Sequence, residues 1–458
     1  MTNRLLRVLL LLLLLLLLGG GVANAQTKPE SKPRPGMPEA RMAWLDNGVV
    51  KLGCDLGFGG AITWFSLSQG PNVVNNFDAG RQIQMSFYSG PVPFSAGGQE
   101  PAEHWKHLGW NPIQAGDDFG NGSRVLHHEV DGEKHQLHLR CVPLQWPINK
   151  VEGDCEFSQW ISLHGATAHV RCRLENHRTD ATRYSGRHQE LPAIYTIGRF
   201  HRVITYQGDA PFTNAPLSQI SGPPPGKSPW HHWSTTEGWT ALLDNAGWGL
   251  GVWNPGTTRF IGGFAGQPGA GGTFDTHTGY LAPLRTEILD AAIVYDYEFD
   301  LILGTEAEIR AHVYRRAGPP KLPAWEFAHS REGWHFAGLS DAGWPIQGAL
   351  RIEGAKPGAH LLSPETFWRA EQAPRLRLQA RCHGPDGKIH VFWRRLGETR
   401  ADPKSRVTVE LRTDGELNDL SIDLAAHPEY RGGLVQLVLD PPEGRFALDG
   451  VALAGPEN

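Results

Sequence analysis

The 458-residue chain is short of net charge, of methionine and of helical periodicity, and each shortage narrows what it can do. Lys and Arg number 43 against 48 Asp and Glu, a net charge of −5. That balance leaves no case for a protein that holds nucleic acid or another polyanion along its surface. The five cysteines form no CxxC pair and no Cys/His group at zinc spacing, so no metal site and no cofactor are expected. Neither a glycine-rich nucleotide loop nor a serine elbow nor a zinc motif occurs, which removes dehydrogenase, kinase, esterase and metalloprotease readings. Beyond the N-terminal leucine run no segment is apolar for the roughly 20 residues a membrane-spanning helix requires.

What the chain has instead is punctuation and tryptophan. Gly and Pro number 55 and 34, about a fifth of all residues, against roughly one-eighth on average. Such a chain breaks into short strands. Apolar and polar residues alternate in Gln136–Cys141, Ala168–Leu174, Arg406–Arg412 and Leu434–Leu439, the period of antiparallel strands with one buried face. Helix is expected at most as single turns such as Ser363–Ala370, and Ala307–Tyr314 reads as strand. Sixteen Trp against four Met is a surplus of flat amphipathic rings, the surface on which sugar rings stack.

The N-terminus carries Arg4 and Arg7, then an apolar run from Val8 to Leu18 and an Ala23-Asn24-Ala25 site. This pattern predicts a signal peptide over 1–25, export to the periplasm or the medium, and a solvated Pro/Lys-rich leader over 26–39. Export permits a disulfide, and one bridge among Cys141, Cys155 and Cys172 is an expectation that follows. Three prolines and a glycine between Arg315 and Pro323 predict a linker over 317–323. The reading is therefore all-β, with a large antiparallel supersandwich over 40–316 followed by a smaller sandwich over 324–458.

Two resemblances carry that reading further. The segment Gly59-Gly-Ala-Ile-Thr-Trp-Phe-Ser-Leu67, with Pro71-Asn-Val-Val-Asn75 and Asp78-Ala-Gly-Arg-Gln82 after it, resembles the opening of galactose-mutarotase-like β-supersandwich proteins. The later cadence of Trp325-Glu-Phe327, Glu332-Gly-Trp334, Val391-Phe-Trp393 and Phe446-Ala-Leu-Asp-Gly-Val451 resembles the jelly-roll modules appended to secreted carbohydrate-active enzymes. The first resemblance implies a fold more than a reaction, because the acid and histidine pattern of sugar epimerases does not align.

Four polar-dense segments are the candidate site. On 80–90, Gln82, Gln84 and Ser86 share one strand face, and a row of amides suits a ligand whose hydroxyls must each find a partner. Arg81 and Tyr88 flank them. The segment 109–121 offers Trp110, Asn111 and Gln114, then Asp117 and Asp118 in a glycine-rich loop fit for an acid, a hydroxyl-binding pair or a calcium ligand set. On 186–192, His188 and Glu190 face the same way about 6–7 Å apart, with Arg187 and Gln189 opposite. Leu191-Pro192 predicts a bend or a sheet edge there. Trp230 and His232 complete an aromatic wall. His231 and His232 point to opposite faces and so would not share a metal.

These residues suggest an exported enzyme that cleaves glycosidic bonds in a polysaccharide or oligosaccharide. As a hydrolase it would use Glu190 and Asp117 as its two carboxyls. As a lyase it would use His188 or Tyr88 as base, with Arg81 and Arg187 neutralising a uronate. A protein that only binds glycan is the third reading.

Overall fold

The computed structural model describes residues 41–456, apart from 225, 354 and 355. The expected signal peptide and leader lie outside the described residues. No helix among the described residues is long and apolar enough to cross a membrane.

Alternation builds two large sheets. The first runs Met42–Asp46, Val50–Asp55, Ala61–Leu67, Ile83–Ser86, Arg187–Ile197, Thr278–Glu287, Arg259–Ala265 and His231–Ser234, with the short pair Pro112–Ile113 and Leu144–Gln145 attached to Ile83–Ser86. The second has nine strands, with Val294–Thr305, Thr167–Asn176 and Cys155–His164 at its centre. In Thr167–Asn176, Val170, Cys172 and Leu174 are buried while His169, Arg171 and Arg173 face outward. Val170 pairs with Ile161 on one side and Phe299 on the other, so one apolar row crosses three strands. Phe65, Phe87, Trp110, Phe157, Leu281 and Phe299 fill the space between the sheets. The fold is all-β, and this sandwich carries the candidate site.

Gly59 and Gly60 turn the chain into Ala61–Leu67 with φ of +60° and +70°. A Cβ on Gly59 would lie 1.9 Å from the Gln114 carbonyl oxygen. Only glycine allows that approach with a left-handed φ.

After the first sandwich come two smaller sheets. One holds Ala324–Trp325, Arg445–Ala454, Arg375–His383, Asp414–Asp423 and Leu350–Glu353. The other holds His335–Ala337, His360–Leu362, Gly433–Asp440, Lys388–Arg395, Arg406–Glu410 and Trp368–Arg369. Phe327, Trp334, Trp393 and Phe446 pack between them. No described strand belongs to both sandwiches. Trp344 nevertheless packs against both cores.

Four expectations are corrected. All five cysteines are free and buried. Cys141 and Cys155 lie on neighbouring strands but out of register, since Cys141 faces Phe157 and Cys155 faces Asn176. Burial raises both thiols well above their ordinary pKa, as it does for inert core cysteines. Second, Ser363–Ala370 is not a turn but leads into the strand Trp368–Arg369, and a short 3-10 turn follows over Ala370–Gln372. Third, of the bend or sheet edge expected at Leu191-Pro192 only the edge is overturned: the pair lies in the interior of its sheet, and the bend is a register shift between Glu190 and Ala193 on one side and between Glu190 and Ile194 on the other. Proline is tolerated there because the bulge releases its ladder position.

The fourth correction is a helix, Glu306–Ala317, where strand was expected. Thr305 accepts from the Glu308 backbone N–H, and the Glu308 carboxylate accepts from the Thr305 N–H at 2.8 Å, a complete capping box. Ile309 and Val313 then bury against Trp239 and Trp253. The Thr-x-x-Glu signature of a helix start stands in the sequence, beside the alternating look of 307–314 that suggests strand. Thr305→Ala is expected to cost about 1 kcal/mol in a urea melt, and Thr305→Ser to recover most of it. A loss under a few tenths would mean that packing alone holds the helix.

Candidate functional site

The outer face of the first sheet carries the candidate chemistry. Across it, Ser86 pairs with Glu190, Glu190 with Leu284 and Leu284 with Arg259. Two rows further along, Tyr195 pairs with Tyr280. The neighbours Met85, Leu281 and Phe260 point the other way, into the core. Period-two geometry thus sorts one set of side chains to the interior and the other to this face.

Glu190 is half-buried, and Tyr280 donates its hydroxyl to Oε1 at 2.6 Å. Burial raises the Glu190 pKa above the usual carboxylate value, while the hydroxyls of Tyr280, Tyr88 and Ser86 draw it partly back. Burial, and next the Glu190 charge, raises the phenols of Tyr280 and Tyr88 well above their ordinary value. Both tyrosines therefore stay protonated as donors, and Tyr88 does not suit the role of base.

Beside the carboxyl stands an aromatic wall. Tyr195 stacks on Tyr280 with ring centroids 4.6 Å apart. Trp230 meets Tyr280 edge-on at 5.1 Å and Tyr195 at 6.4 Å. Tyr280 is covered by its partners, while Tyr195 and Trp230 keep part of their surface in solvent. A partly exposed aromatic strip beside a polar acid is the ordinary build of a site for a ring with one apolar face.

On the other side of Glu190, His188 shares a hydrogen bond with Thr286 Oγ1 at 3.0 Å and lies 5.9 Å from the His232 ring. Its ring edge reaches solvent. Crowding by surrounding protein, with Arg259 next, draws its pKa down to about 4. The same two causes lower His232. His188 is consequently a neutral imidazole near pH 7, able to accept a proton.

The remaining expected residues are spent on the scaffold. Gln82 donates to the Asp78 carbonyl. Gln84 donates to the Ala79 carbonyl at 3.1 Å and accepts from the Ala115 N–H at 2.8 Å. Gln114 accepts from the Met85 N–H and donates to the Gly59 carbonyl. Asn111 donates to the Phe87 carbonyl at 2.9 Å, and Gln189 bonds both the N–H and the carbonyl of Tyr88. The amides share a strand face as expected, but loops cover them and use every one to satisfy backbone. Trp110 is a core residue with no exposed surface.

Arg187 is turned onto the carbonyls of Ser89, Leu108 and His107. Arg81 pairs with Asp78 at 3.1 Å and donates to the Thr276 carbonyl. Asp117 is fully buried, and its oxygens accept from the backbone N–H groups of Phe119, Asn121 and Lys150 and from Asn121 Nδ2. It fixes its loop and has no surface to offer a substrate. Asp118 accepts from Trp105 Nε1 at 2.7 Å. Glu190, His188, Tyr88, Trp230 and His232 are thus the expected residues that the face brings together. Tyr280 and Arg259 were missed, although the alternation Tyr280-x-Ala282-x-Leu284 placed Tyr280 on a sheet face.

No protein-family model matches the chain, and no curated protein does. Among solved structures, the Slr1438 protein of Synechocystis is 13% identical over 60% of this chain and 98% of its own, with a TM-score of 0.37. A galactose mutarotase-like protein from Lactobacillus casei is 9% identical over 57% of this chain and 99% of its own, at 0.33. Another from Clostridium acetobutylicum is 7% identical over 56% and 93%, at 0.35. Two of these bear the family name that the Gly59–Gln82 segment resembles, and at such TM-scores the likeness carries no argument about the reaction.

Proposed function

We propose that this chain is an exported carbohydrate-active enzyme that cleaves glycosidic bonds, with Glu190 as proton donor to the leaving oxygen. One observation carries the reading. A carboxyl held toward its neutral form by burial, and hydrogen-bonded by Tyr280, borders the stacked strip of Tyr195, Tyr280 and Trp230 on the outer face of the sheet. A protonated acid beside a ring-binding wall is what departure of a sugar oxygen calls for.

The second group decides the route. Hydrolysis calls for another carboxyl across the bond, and Asp117, the partner expected from the sequence, is committed to its loop. Elimination calls for a base, and neutral His188 stands on the Glu190 face two residues away, at about 6–7 Å. In that route His188 takes the proton from the carbon next to a uronate carboxyl. The electron pair forms a carbon–carbon double bond, the C–O bond breaks, and Glu190 protonates the departing oxygen. Neutral, uronate-containing and sulfated polysaccharides, followed for reducing ends and ultraviolet absorbance together, test the reading. Both signals on a uronate polymer are expected. Reducing ends alone would replace elimination by hydrolysis, and neither signal on any substrate would remove the catalytic reading.

A further inference from the structure

Between the two sandwiches, next to the Glu190 face, lies a cavity of about 210 Å³ lined by His188, Arg259, Arg285, His335, Glu365 and Arg394 among others. Arg259 and Arg285 come from the first sandwich. His335, Glu365 and Arg394 come from the second. Three guanidinium groups therefore share a small space with one lining carboxylate.

Arg394 is engaged on all three nitrogens, by Gln436 Oε1 at 3.1 Å, the Glu398 carbonyl at 2.7 Å and Glu365, while the pairing of Arg259 and Arg285 is incomplete. Arg259 Nη1 and Arg394 Nη2 both approach the same Glu365 oxygen, at 3.2 and 2.7 Å. Arg285 is turned toward Asn254 Oδ1, at 2.8 Å, and the Pro255 carbonyl, both neutral. The Nε atoms of Arg259 and Arg285 are buried and meet no acceptor. A buried guanidinium nitrogen without an acceptor costs free energy unless a ligand completes it. Arg394 is 6% exposed, and burial, with Arg259 acting against Glu365, lowers its pKa from the ordinary value. His188, His232 and His335 are all held toward the neutral form, so none adds an anion or needs one.

We infer that this cavity is a binding site for an anionic substituent of the substrate, and specifically for the carboxylate of a uronic acid. The inference rests on reading the Glu190 face as the sugar cleft, and it names the substrate class of that cleft. Planar guanidinium forks match a carboxylate. The volume, about 210 Å³, admits one sugar unit with its charged substituent and not a chain. His188 lines the cavity and shares its strand face with Glu190 at about the width of one sugar ring. A ring stacked near Tyr195 and Trp230 can thus keep its scissile oxygen at Glu190 while its carboxylate enters toward the Nε atoms of Arg259 and Arg285, the space between Arg259 and Arg394 being held by Glu365. Because the two sandwiches each supply an arginine, the site exists only while they are docked.

The test is calorimetric titration of the full chain with trigalacturonate, with neutral galactotriose, with a sulfated galactotriose and with inorganic sulfate. Trigalacturonate is expected to bind at least tenfold more tightly than galactotriose, and to weaken as salt rises. Arg259→Gln should remove that advantage and leave galactotriose binding within twofold. Arg394→Gln should do the same, and if it fails to fold Arg259→Gln decides alone, since Arg259 is partly exposed. Equal affinity for acidic and neutral sugars, or an Arg259→Gln protein that keeps the preference, would overturn the site. Tighter binding of the sulfated sugar, or of inorganic sulfate alone, would overturn the carboxylate assignment. Trp230→Ala separates the two readings. If it leaves every sugar's binding unchanged while trigalacturonate still depends on Arg259, the cleft reading fails and the anion site stands.

Discussion

Glu190→Gln is expected to lower turnover by at least two orders of magnitude while substrate affinity stays within a few-fold. The amide keeps the shape of the side chain and can still accept from Tyr280 at Oε1, where the carboxylate accepts at 2.6 Å. It loses only the exchangeable proton, and proton transfer to a leaving oxygen contributes roughly 10²–10⁴ in rate. The pH profile carries the sign. The Glu190 pKa is raised by burial, so the competent neutral acid persists above the pH at which an ordinary glutamate has ionised. Activity should then fall as pH rises through that raised pKa. Tyr280→Phe removes a hydrogen bond that favours the charged form, so it should move the falling limb to higher pH. A Glu190→Gln enzyme of normal rate, or a limb unmoved in Tyr280→Phe, would shift the chemistry away from this carboxyl.

The fold was readable because its signal is repetitive. Each strand such as Thr167–Asn176 states its own alternation, and no distant residue is needed to hear it. The helix at Glu306–Ala317 was hidden because its buried apolar residues, Ile309 and Val313, are few and sit amid charged ones. Only its cap spoke clearly. The site was readable in part. His188 and Glu190 share a face by local geometry alone, which period two supplies without a structure. The amides Gln82, Gln84 and Gln114 misled for a physical reason. A polar row on a strand face is equally suited to binding sugar and to satisfying loop backbone, and only the loops folded over it decide between these. The cavity at the sandwich junction was not legible, since Arg259 and Arg394 meet through docking of strands that no local pattern relates.

One buried cation bridges the two sandwiches beside the Arg259–Glu365 pair and Trp344, and Arg331→Leu is expected to destabilise the protein by about 3–5 kcal/mol, the usual cost of breaking a buried ion pair from one side. Arg331 is 5% exposed on its side chain. It binds Asp341 through two hydrogen bonds of 2.8 Å and Asp290 through one of 2.7 Å. Asp290 belongs to the first sandwich and Asp341 to the second, and Asp290 also accepts from the Trp344 N–H at 3.0 Å. Removing the guanidinium leaves two buried carboxylates facing a shared space with no cation between them. The cheapest relief is to separate the sandwiches and let water reach both. Urea unfolding followed by tryptophan fluorescence should therefore show a lowered first transition assigned to undocking, then the melting of each core. Trigalacturonate binding should be lost at urea concentrations below those that unfold either core, because the wall of the cavity that the second sandwich supplies, Arg394 included, departs with it. Adding Asp290→Asn and Asp341→Asn to Arg331→Leu should recover part of the loss, since the uncompensated charge is then gone. A single unshifted transition in Arg331→Leu would show that apolar packing around Trp344 holds the junction without the ion pair.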